Sequence, residues 1–148
     1  MLPNFSQLFP NLPAHSRVWL YLADRQLDAT EAQYVTEQMH HFLSNWAAHN
    51  KKLTCDGTLL FNQYLILAVN EDIESASGCS IDSSVRFVKS LGAELNLDFF
   101  NRIKVMVLEN NEPIISTYFE AVEKKQNFIN PMITKLEELR SLSFEISL

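Results

Sequence analysis

Tyr64-Leu65-Ile66-Leu67-Ala68-Val69 is the most apolar hexamer in the chain, and its reading decides the fold. Six residues with no polar break are the length of a strand and fall far short of the roughly 18 apolar residues of a membrane span. Asn62-Gln63 is a short polar break before it, and Leu53 to Phe61 is a second β-rich run before that, so the pair reads as a hairpin. Asp56-Gly57 is the other place where that hairpin can turn or bulge.

Working outward toward the N-terminus, Val18 to Ala23 follows Arg17 as another unbroken aromatic and apolar run, as a strand buried on both faces would be, ended by Asp24-Arg25. It predicts the first strand. Asp28 and Glu31 then have the spacing of a capping box, and Val35, Met39, Phe42, Leu43 and Trp46 recur on one face, predicting a helix over 29–48. On the other side, Ile81, Val85, Val88, Gly92 and Leu95 mark a helix over 80–96, with Gly92 on the stripe implying close backbone approach. Ile103 to Leu108 predicts a strand, and Glu109 to Glu112 turns it into Ile114 to Tyr118. A short helix near 119–126 follows, then a second from Pro131 with Asn130 as its cap. Ser143 to Leu148 reads as an edge strand or a frayed end. Pro3, Pro10 and Pro13 keep residues 1–16 from a regular helix, while Phe5, Leu8, Phe9 and Leu12 anchor that leader to the body.

The order strand, helix, strand, strand, helix, strand is that of an α+β, ferredoxin-like βαββαβ plait, here with a C-terminal extension of one strand and two helices. Residues 1–148 are expected to form a single domain: a leader over 1–16, the plait over 17–109 and the extension over 110–148. With the first and third strands taken as parallel central neighbours, Asp24, Arg25, Asn70, Glu71 and Ser77 to Ser80 are expected at one shared edge.

Composition narrows the function classes. The 148 residues are 47% hydrophobic and 20% charged, ordinary globular usage that leaves disorder out. A net charge of −6, with no basic run longer than a pair, makes nucleic acid and anionic membrane surfaces poor partners. Met1 to Ser6 lacks the basic region of a signal peptide, so the expected location is cytoplasmic, with Cys55 and Cys79 as reduced thiols. No Gly-Lys-Ser/Thr follows any of the three glycines, so a Walker-type phosphate loop is absent. His40 and His41 point about 100° apart on a helix, no Cys-x-x-Cys or His-Glu-x-x-His occurs, and no metal or cofactor is expected.

The densest chemical signal is Ala76-Ser77-Gly78-Cys79-Ser80-Ile81-Asp82-Ser83-Ser84-Val85-Arg86. A thiol just ahead of a helix start feels unsatisfied N–H groups and the positive end of the helix dipole, which favour thiolate, so Cys79 is the candidate nucleophile. Ser77 or Ser80 can cap the helix, Gly78 can turn the backbone, and the cradle together with Arg86 can bind an anion. Asp24 and Arg25 complete the candidate ligand-binding set, Arg25 or Arg86 as electrostatic stabiliser and Asp24 or Asp82 as orienter. The plainer readings stand beside these: a cap, a turn, a loop salt bridge, and an i,i+4 surface pair between Asp82 and Arg86. Cys55 reads as a small buried hydrophobe. Six residues separate Cys79 from Arg86, where a tyrosine phosphatase loop needs five.

Arg17 to Arg25 and Ala76 to Phe87 together resemble a small uncharacterised bacterial protein family whose members often carry the label ABC transporter ATPase. The resemblance runs from about residue 15 to residue 140, and the block around Cys79 is its most specific part. Neither a Walker A loop nor a Leu-Ser-Gly-Gly-Gln signature supports that label here. The family implies no established activity. The expectation is therefore a binding or interaction module, homodimeric as small sheets commonly are. The alternatives are a thiol-dependent enzyme or redox sensor using Cys79, and a regulatory domain for a small anionic metabolite.

Overall fold

A computed structural model describes residues 5–109 and 112–142. The chain is a mixed α+β fold with antiparallel sheets. After a short 3-10 turn at Phe5–Gln7, its elements are β1 (Arg17–Leu22), α1 (Ala29–Asn45), β2 (Ala47–Ala48), β3 (Lys51–Lys52), β4 (Cys55–Leu60), β5 (Tyr64–Val69), α2 (Gly78–Leu95), β6 (Lys104–Glu109), β7 (Glu112–Thr117), α3 (Tyr118–Glu123) and α4 (Leu136–Arg140). The reading of Ser143 to Leu148 lies outside the described residues.

Strand β5 lies at the centre of a three-stranded sheet ordered β1-β5-β4. All six of its residues are buried because both of its faces are covered. Leu65, Leu67 and Val69 point into one core with Val35, Met39 and Leu43 of α1 and Val88 and Leu91 of α2. Tyr64, Ile66 and Ala68 point into a second core. There they meet Phe5, Phe9 and Leu12 of the leader, Met106 and Leu108 of β6, and Ile129, Ile133, Leu136 and Leu139 of the extension. That two-sided burial is what the unbroken apolar hexamer encodes. Burial also pushes the Tyr64 hydroxyl well above the usual phenol range.

The strand directions correct one expectation with consequences for the site. β1 and β5 are antiparallel, with Arg17 opposite Val69 and Leu22 opposite Tyr64. A helical crossover returns β4 parallel to β1, and the tight turn into β5 reverses the chain, so β5 fits between them with opposite sense. Asp24 and Arg25 consequently sit where β5 begins, and Asn70 and Glu71 sit where it ends.

Other differences are local. α1 stops at Asn45 instead of running to residue 48, because Ala47–Ala48 pairs with Lys51–Lys52 across a two-residue turn. His49 and Asn50 both take left-handed φ there, 51° and 64°. Asp56-Gly57 is no turn but mid-strand, where a Cβ on Gly57 would stand 2.9 Å from Met39 Sδ. The glycine is the space through which α1 packs on β4. The last helix begins at Leu136, not Pro131, because Asn130 spends its side chain on a local turn, accepting from the Met132 N–H at 2.9 Å. Gly92 does mark close approach: its added Cβ would meet the Leu97 carbonyl oxygen at 2.5 Å.

β6 pairs with β7 in a separate hairpin, while the outer edge of β1 takes a bridge from Arg17 to Lys135. The Arg140 guanidinium fastens the leader, donating to the carbonyls of Leu8 (3.1 Å), Phe9 (2.8 Å) and Leu12 (2.8 Å). Among the described residues no helix is long and apolar enough to cross a membrane.

Candidate functional site

The nominated residues fall at the two ends of α2. Ser77 is its N-cap in a reciprocal capping box: the Ser77 hydroxyl accepts from the Ser80 N–H (3.1 Å), and the Ser80 hydroxyl accepts from the Ser77 N–H (2.7 Å). Gly78 is the first helical residue, with open space where a Cβ would stand and no positive φ, so it makes no special turn. Cys79 therefore lies inside the first helical turn rather than ahead of it, and it is an exposed free thiol. Glu71 braces the preceding loop by accepting from the Ala76 N–H at 2.9 Å.

Asp24 and Arg25 meet the opposite end. Asp24 accepts from the Asp98 N–H at 3.0 Å, just past the α2 C-terminus. Arg25 donates to both carboxylate oxygens of Glu31 (2.9 and 2.8 Å) and to the Leu95 carbonyl (3.0 Å). Hydrogen bonding from Arg25 first, then from the Asp28 backbone, lowers the Glu31 carboxyl to about 2. Eighteen helical residues separate the two ends, a rise of about 27 Å. Arg25 cannot act on the Cys79 thiol over that span, and the expected shared edge does not exist. Asp82 and Arg86 are both exposed, and no ion pair joins them among the described residues.

Two surfaces that the sequence reading passed over are the more substantial ones. The first is an open groove of about 430 Å³ between α1 and α2, lined by Gln38, His41, Phe42, Trp46, Ser83 and Phe87 among others. Phe42 and Phe87 stack across it, their centroids 4.5 Å apart and their planes within 7°. Trp46 is held beside them, its indole N–H donating to the Ser80 carbonyl at 2.8 Å. Phe42 and Trp46 belong to the apolar stripe read from the spacing of α1, and Trp46 is buried in the core with Phe42 packed against it, so the groove itself left no separate mark in the sequence.

The second surface is apolar and lies on the hairpin and α3. Phe119 is 75% exposed, Ile103 59%, Val122 50%, Ile114 45% and Tyr118 44%. Three of them are joined: the Tyr118 N–H donates to the Ile103 carbonyl at 2.8 Å, and the Tyr118 ring meets Phe119 (5.9 Å) as well as Phe128 (5.6 Å). Thr117 caps α3, accepting from the Glu120 N–H at 3.2 Å and so fixing where Tyr118 and Phe119 project.

No group of three or more metal-ligating side chains occurs among the described residues. Compared with known proteins, the chain matches no family model, no curated protein and no solved structure.

Proposed function

We propose that this protein is a cytoplasmic binding module that acts by homotypic contact through the surface of α3 and β7. One observation carries the reading: Ile103, Ile114, Tyr118, Phe119 and Val122 are five large apolar side chains exposed within residues 103–122, with Tyr118 joined to both Ile103 and Phe119. Scattered apolar residues need no explanation, whereas a contiguous patch marks an interface. Charge favours a second copy as the partner. The chain carries −6, yet residues 102–125 hold Arg102, Lys104, Lys124 and Lys125 against Glu109, Glu112, Glu120 and Glu123. A locally neutral, two-signed stretch, in which Lys124 already pairs with Glu120 at 2.6 Å, can complement itself about a twofold axis. Pro113 removes a backbone donor from β7, so side chains rather than strand addition carry the contact.

The element order, with β5 between β1 and β4, supports the ferredoxin-like plait as the ancestral plan of the core. The resemblance carried by Arg17 to Arg25 and Ala76 to Phe87 adds no activity to this reading.

Hydrogen exchange at two protein concentrations tests it. Amides of residues 112–123 should gain protection in the concentrated sample while those of α2 do not change; identical exchange at both concentrations contradicts homotypic contact.

A second reading, a thiol sensor, rests on the exposure of Cys79 in the first turn of α2. Arg86 is then the basic side chain on its side of the helix, since Arg25 is out of reach. An anionic metabolite at the same turn is less favoured, because the Ser77 and Ser80 hydroxyls already satisfy two of the N–H groups it would use.

A further inference from the structure

The groove between α1 and α2 stands apart from the α3 surface, and its lining has a definite chemistry. Phe42 and Phe87, stacked on each other, present partly exposed rings, and Trp46 lies buried beneath Phe42. Gln38, His41, Asn45 and Ser83 supply the polar atoms. Two of these are already engaged, Asn45 donating to the His41 carbonyl (3.1 Å) and Ser83 to the Ser80 carbonyl (2.8 Å). The Gln38 amide and the His41 ring have no hydrogen-bond partner among the described residues, which leaves them free to meet a ligand. No Lys, Arg, Asp or Glu lines the groove.

Ligand sites in proteins are concave, of roughly 300–1,000 Å³, mainly apolar, with a few polar groups that fix orientation. At about 430 Å³ this groove matches in size and in lining. A phosphate or carboxylate would find no Lys or Arg there, and an ammonium no Asp or Glu. We infer that the α1–α2 groove binds a small, neutral, planar aromatic molecule, its ring packed against the partly exposed Phe42 and Phe87 and its polar edge bonded to Gln38 and His41.

Benzimidazole is a suitable probe, a neutral bicycle with a donor and an acceptor on one edge. The readout is its titration into the full chain labelled with ¹⁵N, at pH 8, following the indole N–H signals of Trp19 and Trp46. The Trp46 signal, assigned with Trp19→Phe, should shift saturably, while benzoate and phenylphosphate at the same concentrations leave it in place. Phe87→Ala should weaken binding by about tenfold, equivalent to about 1.4 kcal/mol. Should that variant fail to fold, Gln38→Leu and His41→Leu test the polar edge at positions outside the core, each weakening binding severalfold. The inference is overturned if the Trp46 signal does not saturate up to the solubility limit of benzimidazole. It is equally overturned if benzoate binds as tightly, or if the groove variants bind benzimidazole like the wild type. A saturable shift that a peptide rich in phenylalanine reproduces and benzimidazole does not would reassign the groove to a protein partner and overturn the small-molecule reading.

Discussion

The Arg25 guanidinium grips both oxygens of the Glu31 carboxylate while donating to the Leu95 carbonyl, so one side chain joins the start of α1 to the end of α2. Glu31 completes the join by accepting from the Asp28 N–H at 3.1 Å within the α1 capping box. These contacts lower its carboxyl from 4.5 to about 2. A depressed carboxyl contributes stability that is fully present above its unfolded value and lost as pH falls through its folded value. The gap in Tm between the wild type and Glu31→Gln should thus be constant above pH 4.5, narrow below it and close near pH 2. Thermal melts across that range measure it. A gap independent of pH would mean the pair contributes nothing through charge.

Arg140 is the corresponding join for the leader. It is half-buried and donates to three carbonyls of residues 8–12. Hydrogen bonds from a charged group are worth roughly 1.5–3 kcal/mol each, and losing a cluster strands its acceptors. Arg140→Met should cost about 2 kcal/mol or more in chemical denaturation. Limited proteolysis should then cut first within residues 5–16. Unchanged stability and an intact leader would show that Phe5, Phe9 and Leu12 hold the segment by packing alone.

Gly92 packs against the turn that ends α2, where Asn96 takes a left-handed φ of 54° and the Leu97 N–H donates to the Gly92 carbonyl at 2.8 Å. A methyl group there meets backbone, which cannot swing aside as a side chain can. Gly92→Ala should destabilise by about 1–3 kcal/mol despite the better helix propensity of alanine. A stabilised variant would refute the close approach.

The two thiols should part in reactivity. Cys79 is exposed, whereas Cys55 is half-buried and its thiol is pushed up by burial, against the lowering effect of nearby Lys52. At neutral pH a disulfide reagent should consume Cys79 first and Cys55 about tenfold more slowly, as thiolate fraction and access both require. Peptide mapping after partial labelling checks the order. Equal rates would mean that β4 opens readily.

Much of the fold was legible because local signals there were also the global ones. Tyr64 to Val69 needs two covered faces to be stable, and Asp28 with Glu31 caps α1 whatever packs around it. Strand direction was not legible: apolar content reports burial and is indifferent to polarity. The misplaced edge near Asp24 and Cys79 followed from that one error. The last helix was misplaced because Asn130 and Pro131 suit a turn as well as a helix start, and Arg140 carried no local mark of its distant acceptors. The α3 surface was hidden for a related reason, since a sequence lists apolar residues without saying which remain uncovered.

The most direct test of homotypic binding is sedimentation velocity of the wild type and of Phe119→Asp, from micromolar to near-millimolar protein. Phe119 is 75% exposed, so its replacement should leave the folded monomer intact. The account predicts that the wild type shifts toward the mass of a dimer as concentration rises while Phe119→Asp remains a monomer throughout. A wild type that stays monomeric over the whole range, or a variant that dimerises as readily, would contradict it.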